Sequence, residues 1–497
     1  MEKDNLGKNL IYQIVYQLLL VALPLITSPY LARVLGAKQL GLFSYSQSLA
    51  NYFVFLAALG VNTYGTRSIA GVSKNILIRS KTFLEIFILQ FFSSLTAIVS
   101  YILFILAFNR NNLILGLIQG LLILATLLDI NWFYFGLEKF RITVTRNLIV
   151  KLASVFSIIL FVKKPEDLWI YALIMSLSIL LSNGILWYFI PNLIDIRLIK
   201  TIKVHDVLKH LKPNLILFFP LLAIAIYRIM DKTMLGLMST FHETGFYYNS
   251  DKVINIPIGI LLGISTVMLP RTSNLLGNGK EDESNNLFLV TVDMIIALSI
   301  GMAFGISSIS FEFTPIFFGD GFSKCIFLII YMSPLLLIKG LSETFRMQYL
   351  IPKRMEKIFT RAVVYGAVVN FAVNMYTIPR FGSIGAVIGT TIAEIISCII
   401  QFLGINNSSD LTFKRNLKSK IETILIYSLF GIIMFIVVRF LILNITKLLH
   451  STIAALLISV IIGALTYLIQ CLIYWKLTKN PILINIKFLK FFKKFTS

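Results

Sequence analysis

The chain has 497 residues, of which 57% are hydrophobic and only 14% charged, with a mean hydropathy of +0.85. That balance excludes an ordinary water-soluble protein. The formal net charge of +22 would ordinarily suggest a nucleic-acid partner. Here the cations are scattered over short connections, so no nucleic acid is expected and attraction to anionic membrane lipid explains them better.

Apolar runs long enough to cross ~30 Å of hydrocarbon predict fourteen helices, starting near Asn9, Leu40, Thr82, Leu113, Asn147, Asp167, Pro213, Val253, Leu287, Cys325, Arg361, Ile384, Ile421 and Ser451. Every second gap is basic. Arg67, Lys74, Arg79 and Lys81 fill one, Lys139, Arg141 and Arg146 the next, and Arg197, Lys200, Lys203, Lys209 and Lys212 a third. The pattern continues with Arg271 and Lys280, with Arg346, Lys353, Arg354 and Lys357, and with Lys414, Arg415, Lys418 and Lys420. The gaps between hold one or two cations, such as Arg110, Lys324 and Arg380. By the positive-inside rule both termini are cytoplasmic. The expected fold is therefore an all-α, multi-pass protein of the cytoplasmic membrane. The first apolar run is too long for a signal-peptide core and is read as retained.

No gap is long enough for a folded extramembrane domain. The longest, near Pro191 to Lys212, divides an N-terminal lobe (1–200, helices one to six) from a C-terminal lobe (201–410, helices seven to twelve). Leu35-Gly36, Gly41 and Arg67 are echoed by Leu235-Gly236, Gly245 and Arg271, with 26 residues from each second glycine to its arginine. Two six-helix lobes related by an axis along the membrane normal are the expectation. Helices thirteen and fourteen (411–480) form an appended pair, followed by a basic tail (481–497). In that tail Ile484, Phe488, Phe491, Phe492 and Phe495 share one helical face opposite Lys487, Lys490 and Lys494, a pattern that suits either an amphipathic surface helix or a solvated inner tail.

Charges inside spans are the strongest functional signal, because each costs about 2.5–3.5 kcal/mol at the membrane centre. In helix seven, Arg228, Asp231 and Lys232 stand at i, i+3 and i+4 and so share a face. Left against lipid, the trio would cost on the order of 7–10 kcal/mol. Helix ten carries Lys339, Glu343 and Arg346 in one stripe, and Glu394 sits near the middle of helix twelve. Asp129, Glu85 and Arg33 lie near span ends, where an internal ion pair or snorkelling is an equal alternative. A surplus of cations facing a cavity predicts an anionic substrate. The three cysteines and four histidines show no ligand spacing, and there is no phosphate-cradling loop, so neither metal, cofactor, nucleotide hydrolysis nor a catalytic residue is called for.

Several stretches resemble a known family. Ser28-Pro29-Tyr30-Leu31-Ala32-Arg33-Val34-Leu35-Gly36, then Gly41-Leu42-Phe43-Ser44-Tyr45 and Tyr64-Gly65-Thr66-Arg67, look like the opening of the bacterial polysaccharide (O-antigen and capsule repeat-unit) flippases. Asp129-Ile130-Asn131-Trp132-Phe133 through Gly136 and Phe140 is similar to that family's fourth-helix signature, and Asp231-Lys232 with Leu235-Gly236, Gly245 and Leu269-Pro270-Arg271 to its seventh and eighth. The resemblance covers about residues 5–405 and implies the multidrug/oligosaccharidyl-lipid/polysaccharide exporter superfamily. It implies a secondary transporter, not an enzyme, that flips undecaprenyl-pyrophosphate-linked oligosaccharide by alternating access driven by H+ or Na+.

On that reading Arg33, Arg228, Lys232 and Lys339 receive the pyrophosphate. Asp231, Glu394 or Asp129 couple movement to an ion, and Pro24, Pro220, Pro257, Gly259 and Gly263 bend. A polysaccharide polymerase is a further expected partner. The competing readings are a peptidoglycan lipid-precursor flippase, a multidrug cation antiporter of the same superfamily, an assembly scaffold, and a glycan polymerase using outer carboxylates such as Asp320 and Glu312.

Overall fold

The structure is a computed structural model that describes residues 4–408, 411–480 and 482, with side chains from Leu23 onward apart from a few internal positions, Pro220 among them. The predicted amphipathic tail lies outside the described residues. Among those described there is no strand, and the chain is a succession of helices.

The first long helix, α1 (Asp4–Ala58), is broken at Gly36, whose φ of 72° and ψ of 172° no other residue type adopts readily. It is followed by α2 (Val61–Val72), α3 (Ile76–Phe108), α4 (Leu113–Leu127), α5 (Asn131–Gly136), α6 (Phe140–Phe161), α7 (Leu168–Trp187), α8 (Val204–Leu208) and α9 (Leu211–Met238). Then come α10 (Phe241–Gly277), α11 (Glu281–Phe318), α12 (Lys324–Met332), α13 (Leu335–Phe345), α14 (Glu356–Phe381), α15 (Ser383–Ser408), α16 (Leu411–Leu449) and α17 (Thr452–Leu477). Among the described residues eleven helical segments are long and apolar enough to cross a membrane. With the two arms of α1 and with α9, a helix stands at each of the fourteen predicted positions. The chain is a multi-pass, all-α membrane protein, as the hydropathy pattern required.

Two compact units emerge, Met1–Gly245 and Phe246–Ser497. In the first, α9 packs along α1, and α4 along α1, α3 and α7. Its core has two parts. Phe83, Trp132, Phe133, Tyr134 and Leu186 are wholly buried toward the end that carries the basic connections, and Ala50, Tyr101, Ile105 and Ile123 form the other. In the second unit α11 is central, lying against α12, α13, α16 and α17. The aromatic residues Phe288, Phe345, Tyr349 and Phe413 close together at one end of its core. Both units turn rows of leucine, isoleucine and phenylalanine outward, for example Leu425, Leu429, Ile436 and Phe440 on α16, which is the surface that lipid chains require.

Candidate functional site

The helix-seven trio falls on α9. Arg228 is exposed and Asp231 is buried at 5% exposure, with Lys232 between the two. Sharing one side of the helix has therefore not given them one environment. Asp231 turns toward α1, where it interacts electrostatically with Tyr52. The same contact is secured one step further on: Thr233 Oγ1 lies 2.8 Å from Ser48 Oγ and donates to the Tyr52 hydroxyl at 3.3 Å. Arg228 has no carboxylate paired with it among the described residues. Arg33, also exposed, stands one turn before the break at Gly36.

Two predicted residues of different assigned role meet. Lys339 Nζ on α13 lies 3.6 Å from Glu394 Oε1 on α15, and both side chains are largely withdrawn from solvent. Glu343, the nearest carboxylate in sequence to Lys339, is instead taken by Arg346, whose Nε donates to Oε2 at 3.0 Å and whose Nη2 donates to Oε1. Ser342 and Cys398 border the Lys339–Glu394 pair. Directly after this stripe the helix widens into a π turn at Arg346–Leu350, a backbone irregularity of the kind that clusters at functional positions.

Asp129 sits in the turn between α4 and α5, half-buried. Its Oδ1 accepts from the Asn131 amide at 3.0 Å and from Asn131 Nδ2 at 2.6 Å, which closes the turn. Arg146 Nη2 donates to Asn131 Oδ1 at 3.0 Å and to Asn147 Oδ1 at 2.8 Å, tying α6 to the same turn. Trp132 donates to Gln90 Oε1 on α3 at 3.0 Å, while Gly65 lets the indole lie on α2, because a β-carbon there would fall 2.5 Å from the ring. The fourth-helix signature thus reads, in three dimensions, as a packing knot.

The residues expected to bend lie inside helices. Helix α10 runs continuously through Pro257, Gly259 and Gly263, and α1 through Pro24. A β-carbon at Gly259 or Gly263 would meet nothing within 4 Å.

Three charged clusters escaped the sequence reading in whole or part. Asp293, fully buried on α11, accepts from Lys420 Nζ at 2.9 Å, Tyr427 at 2.8 Å and Asn480 Nδ2 at 2.6 Å. Further along α11, Glu312 pairs with Arg439 Nη1 at 2.7 Å, so one proposed polymerase carboxylate is already neutralised by α16. Glu85, buried on α3, receives Lys209 at 2.9 Å and His210 Nε2 at 2.9 Å, and the other imidazole nitrogen lies 2.7 Å from the Tyr64 hydroxyl. Nearby Asp206 is held below the usual carboxylate range by the Lys203 amide and then by Lys81 and Lys209. Spacing within one helix could not have found these clusters, since the partners lie on other elements.

Comparison with known proteins agrees with this arrangement. A family model described as polysaccharide biosynthesis protein matches residues 6–276, more than half of the chain. A protein of Escherichia coli (strain K12) named "Putative O-antigen transporter" is 24% identical over 417 residues, spanning 82% of this chain and 98% of that protein. Its namesake in Shigella dysenteriae is 22% identical over 381 residues, 76% of this chain and 94% of that protein. Among solved structures, a lipid II flippase MurJ in an inward closed conformation superposes with a TM-score of 0.73 at 17% identity, covering 94% of this chain and 99% of that one. An inward-facing multidrug resistance MATE family transporter of the MOP superfamily gives 0.57 at 12% identity, over 81% of this chain and 99% of the other. At such identities the likeness concerns the fold alone.

Proposed function

We propose a function for this chain from one premise: it belongs to the polysaccharide biosynthesis protein family. It moves undecaprenyl-pyrophosphate-linked oligosaccharide units from the inner to the outer leaflet of the cytoplasmic membrane by alternating access. The names of its relatives in Escherichia coli and Shigella dysenteriae support an O-antigen-type repeat unit as the cargo.

The observation that carries the reading is Arg228. An exposed guanidinium on a membrane-spanning helix, with no paired carboxylate among the described residues, needs an anion to offset its transfer cost. Pyrophosphate supplies one and matches the planar guanidinium through charge-assisted, bidentate contacts. Lys232, one turn further along α9, and Arg33 before the Gly36 break extend the cationic path. The sugar-bearing head could not cross hydrocarbon unaided, because its phosphates and hydroxyls would lose their water without replacement.

Lys339 enters through its partner. At 3.6 Å from Glu394 it is held by a loose, partly buried pair, and protonating Glu394 releases the ammonium for the pyrophosphate. Proton uptake and cargo binding become one event, and Asp231, buried beside Tyr52, is a second carboxylate able to serve an ion. The MurJ-like fold favours a second cargo, lipid II, which is tested in the same assay.

The experiment is the sidedness of radiolabelled lipid-linked units in spheroplasts of a strain lacking the gene. Single units should accumulate on the cytoplasmic face and be cleared by the intact gene, but not by one encoding Arg228→Ala and Lys232→Ala. Full clearance by the double variant would remove the binding role. Lipid II trapped inside in place of glycan would assign the second cargo.

A further inference from the structure

A cavity of about 260 Å³ opens in the first unit, where the turn between α3 and α4 meets the end of α9 and the start of α10. Its walls hold complementary chemistry. Tyr45, 8% exposed, presents a ring 5.7 Å from that of Phe241, and the two form an aromatic corner. Gly236 is what seats the Tyr45 ring, since a β-carbon there would collide with it. Opposite lies the Asn109 turn. Asn109 is 7% exposed, and its amide nitrogen is a buried donor with no hydrogen-bond partner. Its carbonyl oxygen faces Asn112 Nδ2 at 3.4 Å. Arg110 is exposed, and its Nε donates to the Leu106 carbonyl at 2.8 Å.

A buried donor without a partner is costly. Aromatic faces beside amides and a guanidinium match a sugar ring, which has apolar C–H faces and hydroxyls on its rim. The cavity is smaller than the ~300–1,000 Å³ of sites that enclose drug-sized ligands, so it suits one ring rather than a whole repeat unit. Its lining residues include one cation and no carboxylate, which favours a neutral or acidic sugar. The connections that form it stand at the end of the helices opposite the basic gaps, hence on the outer face by the positive-inside rule.

The geometry points to an outward-facing sugar subsite, built from Tyr45, Phe241, Asn109 and Arg110, that holds one ring of the glycan after it has crossed. The inference rests on the flippase reading above for the source of the glycan. By binding the delivered head on the outer side, the subsite disfavours its return and presents it to the enzymes that extend the polymer.

The test uses the full chain in nanodiscs and the free repeat-unit oligosaccharide, released by mild acid from the host's lipid-linked precursor, followed by calorimetry or saturation-transfer NMR. Asn109→Ala and Arg110→Ala should each weaken binding at least ten-fold. Because Arg110 is exposed, its variant folds and keeps the experiment decisive. Equal affinity in all three proteins, or no saturable binding to the unaltered chain, overturns the subsite. The free oligosaccharide carries neither pyrophosphate nor lipid, so this readout stands apart from transport: failure in the spheroplast assay counts against the flippase reading, failure here against the subsite.

Discussion

Gly41 and Gly245 sit backbone to backbone: a β-carbon placed on Gly41 would lie 2.7 Å from the Gly245 amide nitrogen and would overlap the Phe241 carbonyl. One placed on Gly245 would overlap the carbonyl of Ala37. The two glycines that echo each other in sequence are thus the point at which the second arm of α1 crosses the start of α10. Only the absence of side chains permits an approach that close.

Gly41→Ala should therefore destabilise the protein by about 1–3 kcal/mol or more, because the obstacle is backbone and cannot swing away. Gly263→Ala, which meets open space, should leave thermal stability in detergent near that of the parent. Equal melting temperatures for the two variants would contradict the crossing geometry.

Asp293 makes a sharper case. Replacing it with alanine leaves Lys420 uncompensated, and breaking a buried pair from one side costs about 3–5 kcal/mol. Lys420→Met should be similarly harmful, and the double variant should recover part of the loss. A double-mutant cycle on unfolding measures this coupling; additive losses would mean that the two groups do not support each other.

Glu394→Gln should leave the protein in the membrane but flatten the pH dependence of flipping, since the neutral amide leaves Lys339 permanently available. The comparison is the transport rate against external pH in proteoliposomes. An unchanged profile would take Glu394 out of the coupling step and leave Asp231 as the candidate.

Asp129→Asn retains the oxygen that accepts from Asn131, so the turn should survive and transport should stay within a few-fold of the parent. Asn131→Ala removes the group that bridges Asp129 and Arg146 and should cost about 1–3 kcal/mol. Loss of transport in a well-folded Asp129→Asn protein would restore an ionic role to that carboxylate.

The helices were legible because hydrocarbon thickness fixes the length of each apolar run, and the basic gaps are visible in the same string. The motifs at Asp129–Phe140 and Asp231–Gly236 were legible as a family likeness. What the first of them does was not, since Trp132 finds its acceptor on α3 and Gly136 its neighbours on α2. Ion partners were hidden for the same reason. Glu394 is 55 residues from Lys339, and a helical wheel sees only three or four positions ahead. Asp293 went unread for the same reason, since Lys420 and Tyr427 lie on α16 and Asn480 beyond α17, in the stretch set apart as an appended pair.

That last arrangement bears on how the protein is made. Asp293 enters the membrane long before the groups that bind it exist. At roughly 5–20 residues per second of synthesis, the 127 residues from Asp293 to Lys420 take about six to twenty-five seconds to emerge. Throughout that interval α11 carries an unanswered charge in a fatty surrounding, a state that a membrane chaperone or quality-control protease can recognise. Helix α16 thus closes a gap that stays open during synthesis: a chain that stops short of Lys420 keeps that charge unanswered.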